Sequence, residues 1–171
     1  FRRRHARLLE PIRHAGEQRV DVDDINLPAT ILLMVSSITL AFAIGVSAGV
    51  VASVKVRTVW DTLVSVAAMF FFAAPSFWLG IMMIVLFAVK LGWMPVGGMV
   101  TIGGAGGGVL DILHHLVLPT LALGLFYAAT YTRVMRSSML EVAQLDFVRT
   151  ARAKGLSRNR VTLSHVLRNA L

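Results

Sequence analysis

A charged segment follows mostly apolar sequence towards the end of the chain. It runs from Leu140 to Leu171 and reads LEVAQLDFVRTARAKGLSRNRVTLSHVLRNAL. Asp146 suits the N-cap of a short helix over Phe147 to Lys154, and Gly155 can take the left-handed conformation that ends helices. Ser157 can cap a second helix with one apolar face, which is available for packing or for re-entering lipid. That face consists of Leu163, Val166, Leu167 and Ala170. The segment therefore predicts a helix, a glycine turn and a second helix.

Two other interpretations of this segment stay open at the level of local pattern. Two helices joined by a glycine turn, with arginines on the second, also describe a DNA-binding helix-turn-helix. Those arginines are Arg158, Arg160 and Arg168. A basic run is also compatible with a solvated surface that has no partner.

The composition favours an integral membrane protein. Hydrophobic residues make up 56% of the chain, and the mean hydropathy is +0.72, which is outside the range of ordinary soluble domains. The net charge is +8, and the basic residues are concentrated towards the two ends of the chain: six of the 17 precede Leu27 and eight lie from Arg133 onward. Charge placed in this way indicates membrane topology, and we predict no nucleic-acid partner.

A membrane-spanning helix needs about 20 residues, and three apolar segments of the chain reach or approach this length. Residues 27–54 and 62–89 contain no charge, and a third span is predicted at 116–135, where Arg133 and Arg136 can extend the apolar part to the far interface. Residues 1–26 are polar, and Pro11 is expected to interrupt any helix there. They are predicted to form a surface arm.

Two features inside the spans predict particular packing. Gly45 and Gly49 form a G-x-x-x-G pair, which permits another helix to approach closely. Pro75 lies near the centre of the second span and is expected to kink or break it. Transporters often place pathway groups at such breaks, so the run Pro75, Ser76, Phe77 and Trp78 is a candidate for the translocation pathway. The alternative is a kinked helix whose bulky side chains pack on neighbours.

The chain offers little for catalysis or cofactor binding. It has no cysteine, no nucleophile and base pairing and no phosphate-binding G-x-x-x-x-G-K-[ST] motif. His114 and His115 are adjacent, so they point to different faces of a helix, and we interpret them as interface residues. The glycine-rich stretch 103–108 is predicted to be a flexible loop. The chain is therefore not expected to be an enzyme, and we predict no catalytic residue, cofactor or metal site.

The distribution of Lys and Arg predicts the orientation. The segment from Arg133 to Leu171 has eight, the link at 55–61 has two, and the loop at 90–111 has only Lys90. Because cytoplasmic loops carry the excess of basic residues, we place the first two inside and the loop outside. The arm at 1–26 is then extracytoplasmic.

Residues 132–171 resemble the cytoplasmic loop of permease subunits of ABC importers, in the branch that takes up dipeptides, oligopeptides, nickel or glutathione. Gly155 stands at the position of the glycine in the E-A-A-x-x-x-G pattern of the superfamily. Arg149, Thr150 and Ala151 stand at the positions of E-A-A, and this R-T-A variant resembles the peptide branch. Pro75 to Trp78 also resembles an S-x-P-x-F pattern of the family. The resemblance implies an all-α integral membrane protein, a partial transmembrane domain of a type I ABC importer over 27–171, with about three transmembrane helices and a cytoplasmic coupling loop at 136–165.

The resemblance further implies a multi-pass subunit of the bacterial inner membrane. Its partners would be a second permease subunit, two cytoplasmic ABC ATPase subunits that hydrolyse ATP, an extracytoplasmic solute-binding protein and membrane lipid. Phe147 and Ala151 would form the face that docks on the ATPase, with Asp146 as cap and Gly155 as turn. Polar contacts are expected from Glu141, Arg149 and Lys154. The alternatives are a non-transporting membrane fragment or scaffold, since family members have further spans before and after the matched region, and a membrane-anchored DNA-binding protein.

Overall fold

The computed structural model describes the backbone of residues 2–101 and 108–171, with side chains from Leu27 onward in these ranges. The described residues form helices and no strand, which confirms the all-α prediction. The helices are α1 (Arg2–Val54), α2 (Val59–Ala73), α3 (Ser76–Lys90), α4 (Val109–Val142), α5 (Asp146–Ala153) and α6 (residues 158–170). The chain divides into two compact units, Phe1–Val35 and Ser36–Leu171.

The first unit is the first part of α1. Its backbone is helical from Arg2, so the interruption expected at Pro11 does not occur. Proline has a backbone φ that a helix accepts, and within a helix it removes one hydrogen bond without necessarily ending the helix. The predicted polar arm is therefore helical from Arg2 onward.

In the second unit, α1 and α4 approach each other closely at two glycines. A Cβ on Gly45 would lie 2.8 Å from the Ala128 carbonyl oxygen, and one on Gly49 would lie 2.7 Å from Met135 Cβ. Larger side chains would separate the two backbones. The close packing predicted from the G-x-x-x-G pair is confirmed, and α4 is its partner.

The second predicted span is broken at Pro75. α2 ends at Ala73, α3 begins at Ser76, and the two are bent by 100°. The residue before a proline is driven out of the helical region by the proline ring. Ala74 accordingly has φ −74° and ψ 130°, so the helix breaks there as predicted. α3 continues from Ile84 to Lys90 as a π-helix.

Two of the described helical segments are long and apolar enough to cross a membrane, Leu27–Val54 and Val109–Val142, and the broken pair α2 and α3 is a third if it counts as one span. The predicted span 116–135 lies inside α4, which is longer at both ends. A hydropathy pattern locates the apolar part of a helix, whereas polar turns extend the helix beyond it. The glycine run predicted as a flexible loop lies outside the described residues, except for Gly108.

The start of α4 is fastened to the preceding loop by Asp111. Its carboxylate accepts hydrogen bonds from the Thr101 backbone N–H (2.7 Å) and from the Thr101 hydroxyl (2.8 Å). His114 Nε2 lies 3.0 Å from the Trp93 carbonyl oxygen, and His115 Nδ1 lies 2.9 Å from the Asp111 carbonyl oxygen. Both histidines are thus engaged in local polar contacts.

Candidate coupling helix

The short helix predicted in the charged segment is α5. A tight turn over residues 143–145 joins it to α4, and two backbone hydrogen bonds close the turn. The Gln144 N–H donates to the Glu141 carbonyl (3.1 Å), and the Leu145 N–H donates to the Val142 carbonyl (3.1 Å). Because this turn is only three residues long, the position of α5 depends directly on the position of the end of α4.

The N-cap of α5 is Leu145, and the prediction that Asp146 has this role is wrong. Leu145 has extended backbone angles, and its carbonyl accepts hydrogen bonds from the N–H groups of Val148 (3.0 Å) and Arg149 (3.3 Å). Asp146 is the first helical residue, where its exposed carboxylate still interacts favourably with the helix dipole. Because water can satisfy the first N–H groups of this exposed helix end, an apolar cap residue is tolerated.

α5 ends in the predicted way at Gly155. The Lys154 N–H donates to the Thr150 carbonyl (3.1 Å), and the Gly155 N–H donates to the Arg152 carbonyl (3.0 Å). Gly155 has φ +78°, in the left-handed region that glycine adopts without a steric penalty. The turn that redirects the chain into α6 is therefore built on Gly155, as predicted.

The inner face of α5 consists of Val148, which is fully buried, and Ala151, which is 6% exposed. Phe147 is 42% exposed, so the prediction that Phe147 and Ala151 form one docking face is wrong for Ala151. Residues on a helix follow each other at about 100°, which places Ala151 between Phe147 and Val148 around the axis. Its single methyl group is too short to project past its neighbours, and the core covers it.

The outer side of α5 carries the other residues predicted for coupling. All are exposed, and Glu141 is exposed on the last turn of α4. The Thr150 hydroxyl donates to the Asp146 carbonyl (2.9 Å), and Arg149 Nη1 lies 3.6 Å from Asp146 Oδ1. An exposed pair of this kind contributes little to stability. The exposed set is Glu141, Asp146, Phe147, Arg149, Thr150, Lys154 and Gly155.

A buried cluster, which we name the α5 core, holds the inner face in place. It combines side chains from three helices, so a displacement of α5 must move its neighbours as well. Its members are Met135 and Met139 of α4, Val148 and Ala151 of α5, and Val161 and Val166 of α6. Val46, Val50 and Val54 of α1 pack against it and are partly buried.

α6 packs on the α5 core through most of the predicted face, with the addition of Val161. It begins after Ser157, the predicted cap, and residues Val161–Leu167 form a π-helix. In this conformation residues five apart lie on the same side, so Val161 and Val166 are buried together while Leu163 is 58% exposed. Of the predicted face, Val166, Leu167 and Ala170 take part in the packing, and Leu163 does not. A 3.6-residue pattern cannot anticipate a π-helical segment.

Arg158 links α6 to the end of α1. Its Nη2 group donates to the Val54 carbonyl (3.3 Å), one of the carbonyls that the helix end leaves without a partner. An open cavity of about 400 Å³ lies beside this contact, and Arg152 also lines it. The apolar side of α6 packs towards α4, and Arg158 of α6 is hydrogen-bonded within the chain. This geometry does not support α6 as a DNA-recognition helix.

An ion pair that the sequence pattern did not predict joins α2 to α4. Arg136 Nε donates to Asp61 Oδ1 (2.8 Å), and Arg136 Nη2 donates to Asp61 Oδ2 (3.0 Å). Asp61 is buried, with 7% exposure, at the start of α2. Each of these charges borders an apolar segment, but they are 75 positions apart in the sequence, and nothing in the pattern pairs them.

The candidate pathway residues lie at the break between α2 and α3, away from α5. Phe77 is 71% exposed and Trp78 is 42% exposed, while the next residue, Leu79, is buried. α3 packs on α4 near Gly80, whose ideal Cβ would lie 4.0 Å from Ala122 Cβ. The contacts of the α5 core on α4 begin at Met135, about 20 Å further along the helix axis at 1.5 Å per residue.

Comparison with known protein families decides what kind of membrane protein carries this arrangement. Residues 41–171 match the family described as binding-protein-dependent transport system inner membrane component. The chain belongs to this family. The family is a component of ABC importers, so the described helices are part of the membrane domain of a type I importer. The chain is thus an inner-membrane transport component, and membership does not favour the DNA-binding alternative.

Curated relatives in the family include several peptide permeases. The chain is 41% identical over 146 residues to the oligopeptide transport system permease protein AppB of Bacillus subtilis (strain 168), covering 85% of this chain and 46% of AppB. It is 39% identical over 161 residues to the di/tripeptide transport system permease protein DppB of Pseudomonas aeruginosa (strain UCBPP-PA14), covering 84% and 48%. It is 41% identical over 146 residues to the oligopeptide transport system permease protein OppB of Escherichia coli (strain K12), covering 85% and 45%. The matched part is about half the length of these relatives.

Proposed function

We propose that the chain is part of the permease subunit of an ATP-driven peptide importer and that α5 docks on a cytoplasmic ATPase. The observation that carries the proposal is the two-sided character of α5. Val148 anchors the inner face in the α5 core, whereas Phe147 and the polar residues around it face outward. Membership of the transport family and the peptide permeases among the relatives support peptides as the solute.

The proposal that α5 docks on an ATPase implies several partners. As in the family that the chain resembles, two ATPase subunits would bind and hydrolyse ATP. A second permease subunit completes the pathway, an extracytoplasmic solute-binding protein delivers the peptide, and lipid covers the exposed apolar side chains of the spans. Closure of the ATPase pair moves α5, and the α5 core passes that movement to α4 and α6.

The break between α2 and α3 is proposed to border the translocation pathway. A bent span leaves backbone groups without helical partners, and such groups are tolerated at membrane depth only where they are buried in protein or line a water-filled cavity. The exposure of Phe77 and Trp78 at the break leaves both side chains available to the second permease subunit or to the solute. Pro75 and Ser76 set the position of this corner.

Capture of the ATPase tests the docking proposal. The permease chain is purified from membranes with its ATPase subunits, and the parent is compared with Phe147→Asp. We expect the variant to lose most of the bound ATPase, since a charge at the centre of a contact surface is desolvated on docking without a partner. The ratio of ATPase to permease in the purified material is the measurement.

Leu163→Asp is the matched control. Leu163 is 58% exposed on α6, outside α5, so it tests the same change of chemistry on another exposed apolar side chain. We expect it to retain the ATPase. Equal capture by the parent and by Phe147→Asp would contradict docking through α5, and no capture by a folded parent would favour a membrane scaffold.

A further inference from the structure

The carboxylate of Asp61 is the meeting point of α2, α4 and the link between α1 and α2. Besides the two contacts with Arg136, it accepts hydrogen bonds from the Arg57 backbone N–H (3.1 Å) and from the Ser65 hydroxyl (3.4 Å). Four donors thus converge on one buried carboxylate. A two-pronged arginine contact also fixes orientation, because both N–H groups must stay in the plane of the carboxylate.

The link before α2 is held in an unusual conformation by the same carboxylate. Arg57 has φ +60°, in the left-handed region that residues other than glycine rarely adopt. Such a conformation persists where surrounding contacts determine it. The hydrogen bond from the Arg57 N–H to Asp61 is one such contact, so Asp61 orders the link as well as the start of α2.

The other end of the ion pair borders the α5 core. Arg136 follows Met135 and lies one helical turn before Met139, and both methionines belong to the α5 core, together with the inner face of α5. A movement of α5 that shifts this turn of α4 must therefore shift Arg136. Through Asp61 the shift reaches the first turn of α2, and α2 leads to the break at Pro75.

Contacts along the rest of α2 and α4 are of a different kind. The Phe72 and Phe126 rings are stacked with centroids 6.4 Å apart, and the Arg133 guanidinium lies 4.1 Å over the Phe72 ring. Flat stacked surfaces can slide past each other in shear motions. The ion pair is directional and joins the helices at the end that is next to α5.

We propose that the Asp61–Arg136 ion pair is a positioning contact that stays closed through the transport cycle and transmits movement of α5 to α2. The inference rests on the proposed function, because it needs α5 to be the element that the ATPase moves. Neither residue touches the solute or ATP. Their role is to make α2, α4 and α5 move as one body.

The first experiment separates transmission from assembly. The permease chain carrying Asp61→Asn is assembled with its ATPase, second permease and solute-binding subunits in proteoliposomes, with tritiated trialanine as the transported probe. The measurement is the number of peptides transported per ATP hydrolysed. We expect ATP hydrolysis to continue while this ratio falls roughly tenfold or more, within the usual range of coupling between sites. Arg136→Lys, which keeps the charge and loses the two-pronged geometry, should give an intermediate ratio.

Asp111→Asn is the matched control, because Asp111 also accepts two hydrogen bonds but lies at the opposite end of α4. It should transport at the parent ratio. A purely structural role of Asp61 would reduce the amount of assembled protein and leave the ratio unchanged. A parent ratio in Asp61→Asn, or an equal loss in Asp111→Asn, would overturn the proposal.

A second experiment asks whether the contact stays closed, and it uses the absence of cysteine from the chain. Asp61→Cys and Arg136→Cys are combined and joined by a bifunctional thiol reagent that spans the original side chains. Recovery of the transport ratio on joining supports a permanent link, whereas a block of transport shows that the contact must open and overturns the proposal. If the parent neither binds the ATPase nor transports, the proposed function itself has failed, which is a different result from an uncoupled variant.

Discussion

At the scale of single residues, Gly155 shows how one backbone angle sets the geometry of the site. It has φ +78°, and apart from its chain neighbours no residue has a heavy atom within 4 Å of the position that a Cβ would take. Space is therefore available for a side chain, and only the backbone conformation opposes one. The direction in which the chain leaves α5 for α6 depends on this conformation.

We predict that Gly155→Val destabilises the turn by about 1–2 kcal/mol or somewhat more, since a left-handed conformation carries such a penalty for residues with a Cβ and valine is β-branched. Thermal unfolding of the detergent-solubilised permease measures the loss. Gly155→Asn is the control, because asparagine tolerates this conformation better than other side chains. Equal unfolding temperatures for the two variants would contradict the argument.

At the scale of elements, the packing of α1 on α4 explains how α5 is held in place. The buried positions of α1 in the second unit are all small and follow one side of the helix: Ser37, Ala41, Gly45, Gly49 and Ala52. Without a hydrophobic driving force between helices in lipid, such residues favour association by allowing close backbone contact. The same two helices then carry the methionines and valines around α5.

We predict that Gly49→Leu forces α1 and α4 apart, because even a Cβ would lie 2.8 Å from the Thr132 carbonyl oxygen. Overpacking of this kind costs about 1–3 kcal/mol. The yield of monodisperse permease in detergent, together with its unfolding temperature, measures the effect. Ala43→Leu introduces the same side chain at an exposed position of α1 and should behave like the parent. A comparable loss in Ala43→Leu would show that the close approach is not the cause.

At the scale of the whole molecule, the orientation in the membrane decides whether α5 can meet an ATPase at all. The positive charges around α5 predict that it faces the cytoplasm, and the loop before α4 is then outside. Single cysteines test this cleanly, because the chain contains none of its own. We predict that a membrane-impermeant maleimide added to intact cells labels Val96→Cys in the loop and labels Ser157→Cys only after permeabilisation.

Both labelling positions are exposed, so differences in labelling report on the side of the membrane. Labelling of both variants after permeabilisation is the internal control for reactivity. Labelling of Ser157→Cys in intact cells would place α5 outside and would contradict the docking of a cytoplasmic ATPase.

Local chemistry determined the features of this protein that a short stretch of chain can specify. Uncharged runs predicted the apolar spans, Pro75 predicted the break, and Gly155 predicted the left-handed turn, since each follows from solvation or sterics within a few residues. The family resemblance of the charged segment was likewise readable, because it depends on the order of residues alone.

The tertiary structure decided which side chains face each other. Ala151 is covered and Phe147 is free because α4 and α6 close over one side of α5, and Leu163 is exposed because part of α6 is π-helical. The Asp61–Arg136 pair joins residues that are 75 positions apart. Such contacts depend on how complete helices pack, and helix packing is set by the summed shape of many side chains that no local pattern contains.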